Sequence, residues 1–458
     1  MTSSAAPRRA IAVIGSVIAL FFLYFFGLTR TGLLGPDEPR YAAIGRAMAA
    51  TSDWITPRLW GQPWFEKPAL LYWMTAASFK LGLGPDWAPR LPVAIVSVAF
   101  LIYFFFVLRR EFGERAAWYS ATILATSAGW LAYSHVAIAD LPMSAAFAAA
   151  MLAMIAEAAS SRSRFSSRGW VVAGALLGLA VLAKGLVPLV LFIPALWFLR
   201  RQVRDLALLF GVALVIAAPW YTLVTLRNGR PFLEEFFWKH HFSRFLNSAL
   251  QHERPIWFYI PVLLAGLFPW TPLFALLFQR RLYNDRRAQF LLAWLAWGFL
   301  FFSISRNKLP GYLLPLLPAV AALMGMALAG TERARILLPA CAFLLCLAPG
   351  LAGMLPQALA GGISRASFHL DWPWVLAGLA VAIACAVLNR AGRRDVAVAI
   401  VALGTTVAVI GIVWRVYPEL DRQVSGRRAG SITCVPPTSR SQRYSIDYYA
   451  GQYLPDCK

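Results

Sequence analysis

Acidic and basic residues in this chain gather in short polar segments between long apolar ones. The first reads Gly35-Pro36-Asp37-Glu38-Pro39-Arg40-Tyr41 and runs on to Trp64-Phe65-Glu66-Lys67-Pro68. A further carboxylate, Asp140, stands just before an apolar run that starts Leu141-Pro142. Cations arrive from separate segments, as Lys67, Lys184, Arg254 and Lys308, and Tyr41, Tyr312 and His252 add neutral donors. Carboxylates facing clustered cations suit a reaction whose leaving group is a lipid phosphate. Plainer roles exist for the same residues. Asp37 and Glu38 before Pro39 suit the positive end of a helix, and Glu66-Lys67 suits a solvated ion pair beside a turn.

Moving a sugar off a polyprenyl phosphate is chemistry of this type. Positive charge develops on the sugar ring while negative charge collects on the departing phosphate. Lysine and arginine beside that phosphate stabilise the transition state more than the ground state. A carboxylate opposite them can orient or deprotonate the acceptor, for about 10²–10⁴-fold as a general base. An acceptor that is itself a phosphate is already nucleophilic, and Asp37 would then position it. Asp37 and Asp140 are the catalytic candidates, with Glu38, Tyr41, Glu66, Lys184 and His252 as substrate-binding candidates.

The elements that must hold these residues are membrane helices. Of 458 residues, 59% are hydrophobic and 14% charged, far from the quarter charged of an ordinary soluble domain. A spanning helix needs about 20 apolar residues. Stretches at 11–28, 91–108, 116–134, 141–157, 170–183, 186–199, 206–226, 256–279, 288–304, 312–329, 336–354, 373–388 and 396–414 meet or approach this, predicting an all-α polytopic protein of about thirteen spans. The net charge of +22 would suggest nucleic acid in a soluble protein. Here Arg109/Arg110/Arg115, Arg200/Arg201/Arg204, Arg280/Arg281/Arg286/Arg287 and Arg390/Arg393/Arg394 fall in alternate connections on the side of Arg8 and Arg9, which marks that side as cytoplasmic.

The other side receives the long connections 29–90 and 227–255 and a short tail, 415–458, beyond a membrane region of 1–414. The apolar part of the first loop, 68–83, must not cross, or every later arginine loop would flip. It is expected in the interface as an amphipathic helix, with Tyr72, Trp73 and Lys80 suited to that depth. Cys341, Cys346 and Cys385 fall within helices as small fillers. Cys434 and Cys457 lie in the outer tail, where an oxidising compartment permits a disulfide.

The run DEPRYAAIGRAMAATSDWITPRLWGQPWFEKPALLYWMTAASFKL resembles the first outer loop of the bacterial aminoarabinose (lipid A) transferase family, which belongs to the polyprenyl-phosphate-dependent glycosyltransferases related to protein O-mannosyltransferases. AKGLVPL around Lys184, HERPIWFYIPVLLAGLFPW from His252 and SRNKLPGYLLPLLPAV around Lys308 are similar to that family too. The resemblance implies Asp37 as the catalytic carboxylate of a juxtamembrane helix, Asp140 as the second acidic position and Glu66-Lys67 as the block where lysine contacts the carrier phosphate. It also implies phosphate binding by Arg254, Lys308 and Tyr312. A divalent metal between Glu66 and a histidine such as His252 is an option that two ligands alone do not establish. The implied protein sits in the bacterial inner membrane with a cytoplasmic N-terminus and a periplasmic site and C-terminus. It takes a polyprenyl-phosphate sugar donor, and its acceptor is lipid A, another envelope glycan or a protein. The alternatives are a transporter or flippase of lipid-linked sugars, which would need ionisable or broken positions near mid-membrane in paired repeats, and a structural subunit of an envelope complex.

Overall fold

The computed structural model describes residues 5–159, 167–243, 253–331, 334–429 and 432–457. Among them eight helices are long and apolar enough to cross a membrane: Trp87–Phe112, Ser167–Lys184, Val203–Asn228, Arg286–Ile304, Pro310–Ala329, Arg335–Gly353, Trp372–Arg390 and Arg394–Gln423. Two further apolar helices, Ile256–Gly266 and Thr271–Phe278, are joined through a sharp bend of 115°. Pro310–Ala329 is the most buried of them and forms the centre of the bundle. There a Cβ at Gly325 would meet the Ser120 backbone nitrogen at 2.5 Å, so only glycine lets these helices approach so closely. Helices at the rim leave Leu214, Val215 and Leu226 exposed, as a lipid-facing surface requires.

Several stretches expected as single spans are interrupted. The 116–134 stretch divides into Glu114–Ala125 and Ala128–Ser134, 141–157 into Asp140–Ala153 and Ile155–Ala158, and 186–199 into Val187–Leu191 and Ile193–Leu199. The first break has a visible cause. Thr126 and Ser127 turn their hydroxyls onto the carbonyls of Thr122 and Ile123, both at 2.6 Å, which competes with continuing the helix. The bent pair takes up what the break frees: Ala128 N donates to Phe268 O at 2.9 Å, and Trp270 Nε1 donates to Thr126 Oγ1 at 2.8 Å. Two interrupted helices thus satisfy each other's polar groups inside the bundle.

Connections sort to two ends. At one, Arg287 pairs with Glu111, Arg115 with Asp395, and Arg281, Arg286 and Arg394 donate to the carbonyls of Gly330, Ala158 and Leu328. At the other, Arg227 pairs with Asp53, Lys184 with Asp140, and Arg427 with Asp86 and Asp421. The arginine-rich loops therefore share one end and the candidate site residues the opposite one.

In the first loop the helix Leu70–Lys80 has 11 residues, about 16 Å, and is too short to cross. Its expected interfacial face is corrected in one respect. Tyr72 is fully buried against Tyr41, ring centroids 5.8 Å apart, because this helix lies on the helix Asp37–Thr51. Trp73 Nε1 donates to Trp54 O at 2.8 Å and Lys80 Nζ to Ser52 Oγ at 3.1 Å. The tail packs onto this same loop. Its helix Arg440–Ala450 accepts Arg46 at Tyr448 O (2.9 Å), and Ser445 Oγ donates to Leu33 O (3.0 Å). Cys434 and Cys457 are joined, Cα atoms 4.9 Å apart, which closes a loop around that helix. Cys341, Cys346 and Cys385 are buried thiols.

Candidate active site

The helix Asp37–Thr51 starts at Asp37 itself, which is 43% exposed and ion-paired to Arg40 one turn along. Arg40, 5% exposed, reaches Glu66 Oε2 at 3.1 Å, and Lys67 Nζ holds Glu66 Oε1 at 2.9 Å. Tyr41 donates its hydroxyl to the same Oε1 at 3.2 Å. Charges therefore alternate along Asp37, Arg40, Glu66 and Lys67. Trp64, at 5.3 Å, and Tyr444 of the tail helix, at 5.2 Å, cover the Arg40 guanidinium. Burial works to lower the pKa of Arg40, but the charges of Glu66 and Asp37 outweigh it and the net shift is upward. Burial, with Glu66 and Asp37 adding to it, pushes the Tyr41 phenol well up, so it stays a neutral donor.

A second cluster forms at Asp140, the first residue of its helix. Lys184, the last residue of the helix Ser167–Lys184, pairs with Asp140 Oδ1 at 2.6 Å and lies 4.7 Å from the centre of the Tyr312 ring. Asp140 and Lys184 are 17% and 11% exposed, accessible yet largely desolvated. Lys308 is buried and donates to Ser305 O, and burial lowers its pKa. A bridge between Glu253 and Asn307 brings the exposed Arg254 alongside the Lys308 segment. His252 lies outside the described residues.

Glu38 is not where a substrate ligand would be. It is fully buried; Arg90 Nε donates to its Oε1 at 2.7 Å and Arg90 Nη2 to its Oε2 at 2.9 Å. Leu34 N and Ala137 N add bonds of 2.7 and 2.9 Å. A buried carboxylate persists only when paired and hydrogen-bonded, and this one has no face left for a ligand. Its substrate-binding assignment is corrected to an anchor. It ties the residue beside Asp37 to the connection that ends in Asp140. Arg90 also donates to Leu28 O, Thr31 O and Gly32 O, at 2.6–2.9 Å, which orders the start of the first loop.

Among the described residues no group of three or more His, Cys, Asp or Glu side chains converges, and the Glu66 oxygens face two cations and a phenol; His252, the histidine named beside Glu66 for a metal, lies outside those residues. Arg40, Arg90 and Tyr444 escaped the sequence reading. Arg40 carried a signal, since Asp37 and Arg40 stand at helical i, i+3 spacing. So did Arg90, an arginine opening an apolar helix, which needs a partner. Nothing local to Tyr444 points to the site.

Known proteins resemble this arrangement. The model of the dolichyl-phosphate-mannose-protein mannosyltransferase family matches residues 66–222, a span that holds Glu66, Lys67, Asp140 and Lys184. An undecaprenyl phosphate-alpha-4-amino-4-deoxy-L-arabinose arabinosyl transferase of Pseudomonas aeruginosa is 32% identical over 335 residues, 70% of this chain and 60% of that protein. The chain thus spans well under two thirds of that relative's length. The crystal structure of ArnT from Cupriavidus metallidurans bound to undecaprenyl phosphate superposes with a TM-score of 0.80 at 27% identity, over 97% of this chain and 85% of that one. The Archaeoglobus fulgidus oligosaccharyltransferase shares the fold alone, with a TM-score of 0.55 at 14% identity over 99% of this chain and 60% of that one.

Proposed function

Because the chain belongs to the aminoarabinose-transferase-like family, related to the O-mannosyltransferases, we propose that it is an integral-membrane glycosyltransferase. It moves 4-amino-4-deoxy-L-arabinose from undecaprenyl phosphate to lipid A at the periplasmic face of the bacterial inner membrane. The supporting observation is the meeting of Asp37, Arg40, Glu66 and Lys67 at the same end of the bundle as the Lys184–Asp140 pair. In this orientation the chain crosses the membrane thirteen times, counting interrupted helices as single crossings, with its arginine-rich loops in the cytoplasm.

The reaction breaks the bond between the anomeric carbon and the carrier phosphate oxygen and forms one from that carbon to an acceptor oxygen. Lys67 and Arg40 neutralise the charge that grows on the departing phosphate. Glu66 holds both cations in place, so neither reorganises when the charge appears. The exposed Arg254 extends the positive surface toward the carrier, and the buried Lys308 adds its charge from behind it. Asp37, the most exposed carboxylate of the first cluster, faces the acceptor. A phosphate acceptor needs orientation there, whereas a hydroxyl acceptor needs its proton removed. Displacement by an acceptor on the opposite side of the sugar inverts the anomeric centre. A transporter would instead place ionisable groups at mid-membrane, and these groups gather at one end.

The test is transfer in lipid nanodiscs. Wild-type protein given undecaprenyl phosphate-linked aminoarabinose and lipid A should add one aminopentose mass to lipid A, read by mass spectrometry. Asp37→Asn should slow this by about 100-fold or more, with unchanged thermal unfolding. No mass gain with the wild type would reject the activity, and full activity in Asp37→Asn would reject the role of that carboxylate.

A further inference from the structure

Tyr133 is the penultimate residue of the short helix Ala128–Ser134, just before the connection that leads to Asp140. It lies within electrostatic reach of Asp140, Tyr312 and Asp37, the carboxylates of both clusters among them. Several other tyrosines end on backbone carbonyls, Tyr24 on Ala125 O at 2.8 Å, Tyr259 on Leu309 O at 3.2 Å and Tyr283 on Leu277 O at 2.7 Å, and Tyr119 donates to Asp395. Tyr133 has no hydrogen-bond partner among the described residues, and it is only half-buried. A hydroxyl in that situation is open to a ligand.

Gly311 fixes where this phenol lies, because its backbone packs directly against the ring and hydroxyl. A Cβ there would stand 2.6 Å from the Tyr133 hydroxyl and 2.7–2.8 Å from its ring. The Leu309-Pro310-Gly311-Tyr312 turn therefore does two things at once. Tyr312 lies over Lys184, and the missing side chain at 311 leaves room for the phenol of Tyr133.

We propose that Tyr133 is a substrate-binding residue whose phenol donates a hydrogen bond to a hydroxyl of the transferred sugar, held between Asp37 and Asp140. A neutral donor suits that place. It fixes the ring between two anions without adding positive charge beside a carbon that is itself becoming positive. Lys67 and Arg40 grip the phosphate and Tyr133 grips the sugar, so the two halves of the donor are read by different clusters. This inference rests on the transferase reading above.

The experiment compares wild type with Tyr133→Phe, which removes one oxygen and keeps the ring packed. Two quantities are measured in nanodiscs: kcat/KM for the undecaprenyl phosphate-linked aminoarabinose donor, and the affinity for undecaprenyl phosphate without sugar. Tyr133→Phe should lower kcat/KM by about 10-fold or more, because a site built to bond a hydroxyl loses discrimination without it. Affinity for the bare carrier should stay within about two-fold of wild type. Gly311→Ala should show the same selective loss by displacing the phenol, and adding Tyr133→Phe to it should cost nothing further. An unchanged kcat/KM in Tyr133→Phe, equal losses for donor and bare carrier, or additive losses in the double variant would overturn the proposal. Wild-type protein that neither binds undecaprenyl phosphate nor transfers sugar would reject the transferase reading, and Tyr133's role with it. An active wild type with an unaffected Tyr133→Phe rejects the role of Tyr133 alone.

Discussion

Lys67 and Lys184 are both paired lysines at the same end of the bundle, but their partners divide their work. Lys67 shares Glu66 with Arg40, so the carboxylate it faces is also drawn on by a second cation and balances the ammonium only in part. Lys184 balances Asp140 one to one and lies over Tyr312. Lys67→Ala should therefore weaken undecaprenyl phosphate binding by about 10-fold, about 1.4 kcal/mol, measured by titration in nanodiscs. Lys184→Ala should lower turnover more than carrier affinity. Arg40→Lys is not conservative here, because one ammonium cannot reach both Asp37 and Glu66 as a planar guanidinium does. The convergence of polar segments from separate loops, together with the resemblance of the first loop, made Asp37, Glu66, Lys67 and Asp140 legible as candidates. Glu38, adjacent to Asp37 and identical in type to Glu66, was not separable from them, since only burial beside Arg90 distinguishes an anchor from a ligand.

Secondary-structure elements turn those residues into a site by being tied down twice. On the bundle side, Glu38 and Arg90 join the start of the first loop to the connection before Asp140. Glu38→Ala strands the Arg90 guanidinium in a buried position and should cost about 3–5 kcal/mol, read as a lower unfolding temperature in detergent. A loss of activity without any loss of stability would count against this anchoring role. On the outer side, the tail helix Arg440–Ala450 rests on the first loop and brings Tyr444 over Arg40. The disulfide holds the ends of that segment together. Cys434→Ser should release about 3 kcal/mol of constraint in the chain-entropy model, so limited proteolysis should cut the tail before the bundle. Equal cleavage rates in variant and wild type would show that helix packing alone keeps the tail in place.

For the whole molecule the deciding feature is the separation of charge between its two ends. Arg115 and Arg390 belong to one end, Gln62 to the other, and all three are exposed. The native cysteines are buried or paired, so single cysteines can be introduced directly at these positions. A membrane-impermeant maleimide should label Gln62→Cys from the periplasmic side and spare Arg115→Cys and Arg390→Cys; the reverse pattern would invert the proposed orientation. Composition and the arginine spacing by themselves determined a polytopic helical protein with two unlike ends, because hydrocarbon imposes length and burial rules on each span separately. They also determined that 68–83 could not cross, and its helix of 11 residues agrees. Tertiary structure decided where the helices break, as at Thr126 and Ser127 facing Phe268 and Trp270, because a break is stable only where another segment supplies the missing hydrogen bonds. It also decided the partner of each charge and the place of Tyr133, since hydrogen bonds and close packing act over a few ångströms between residues that stand tens or hundreds of positions apart in the chain.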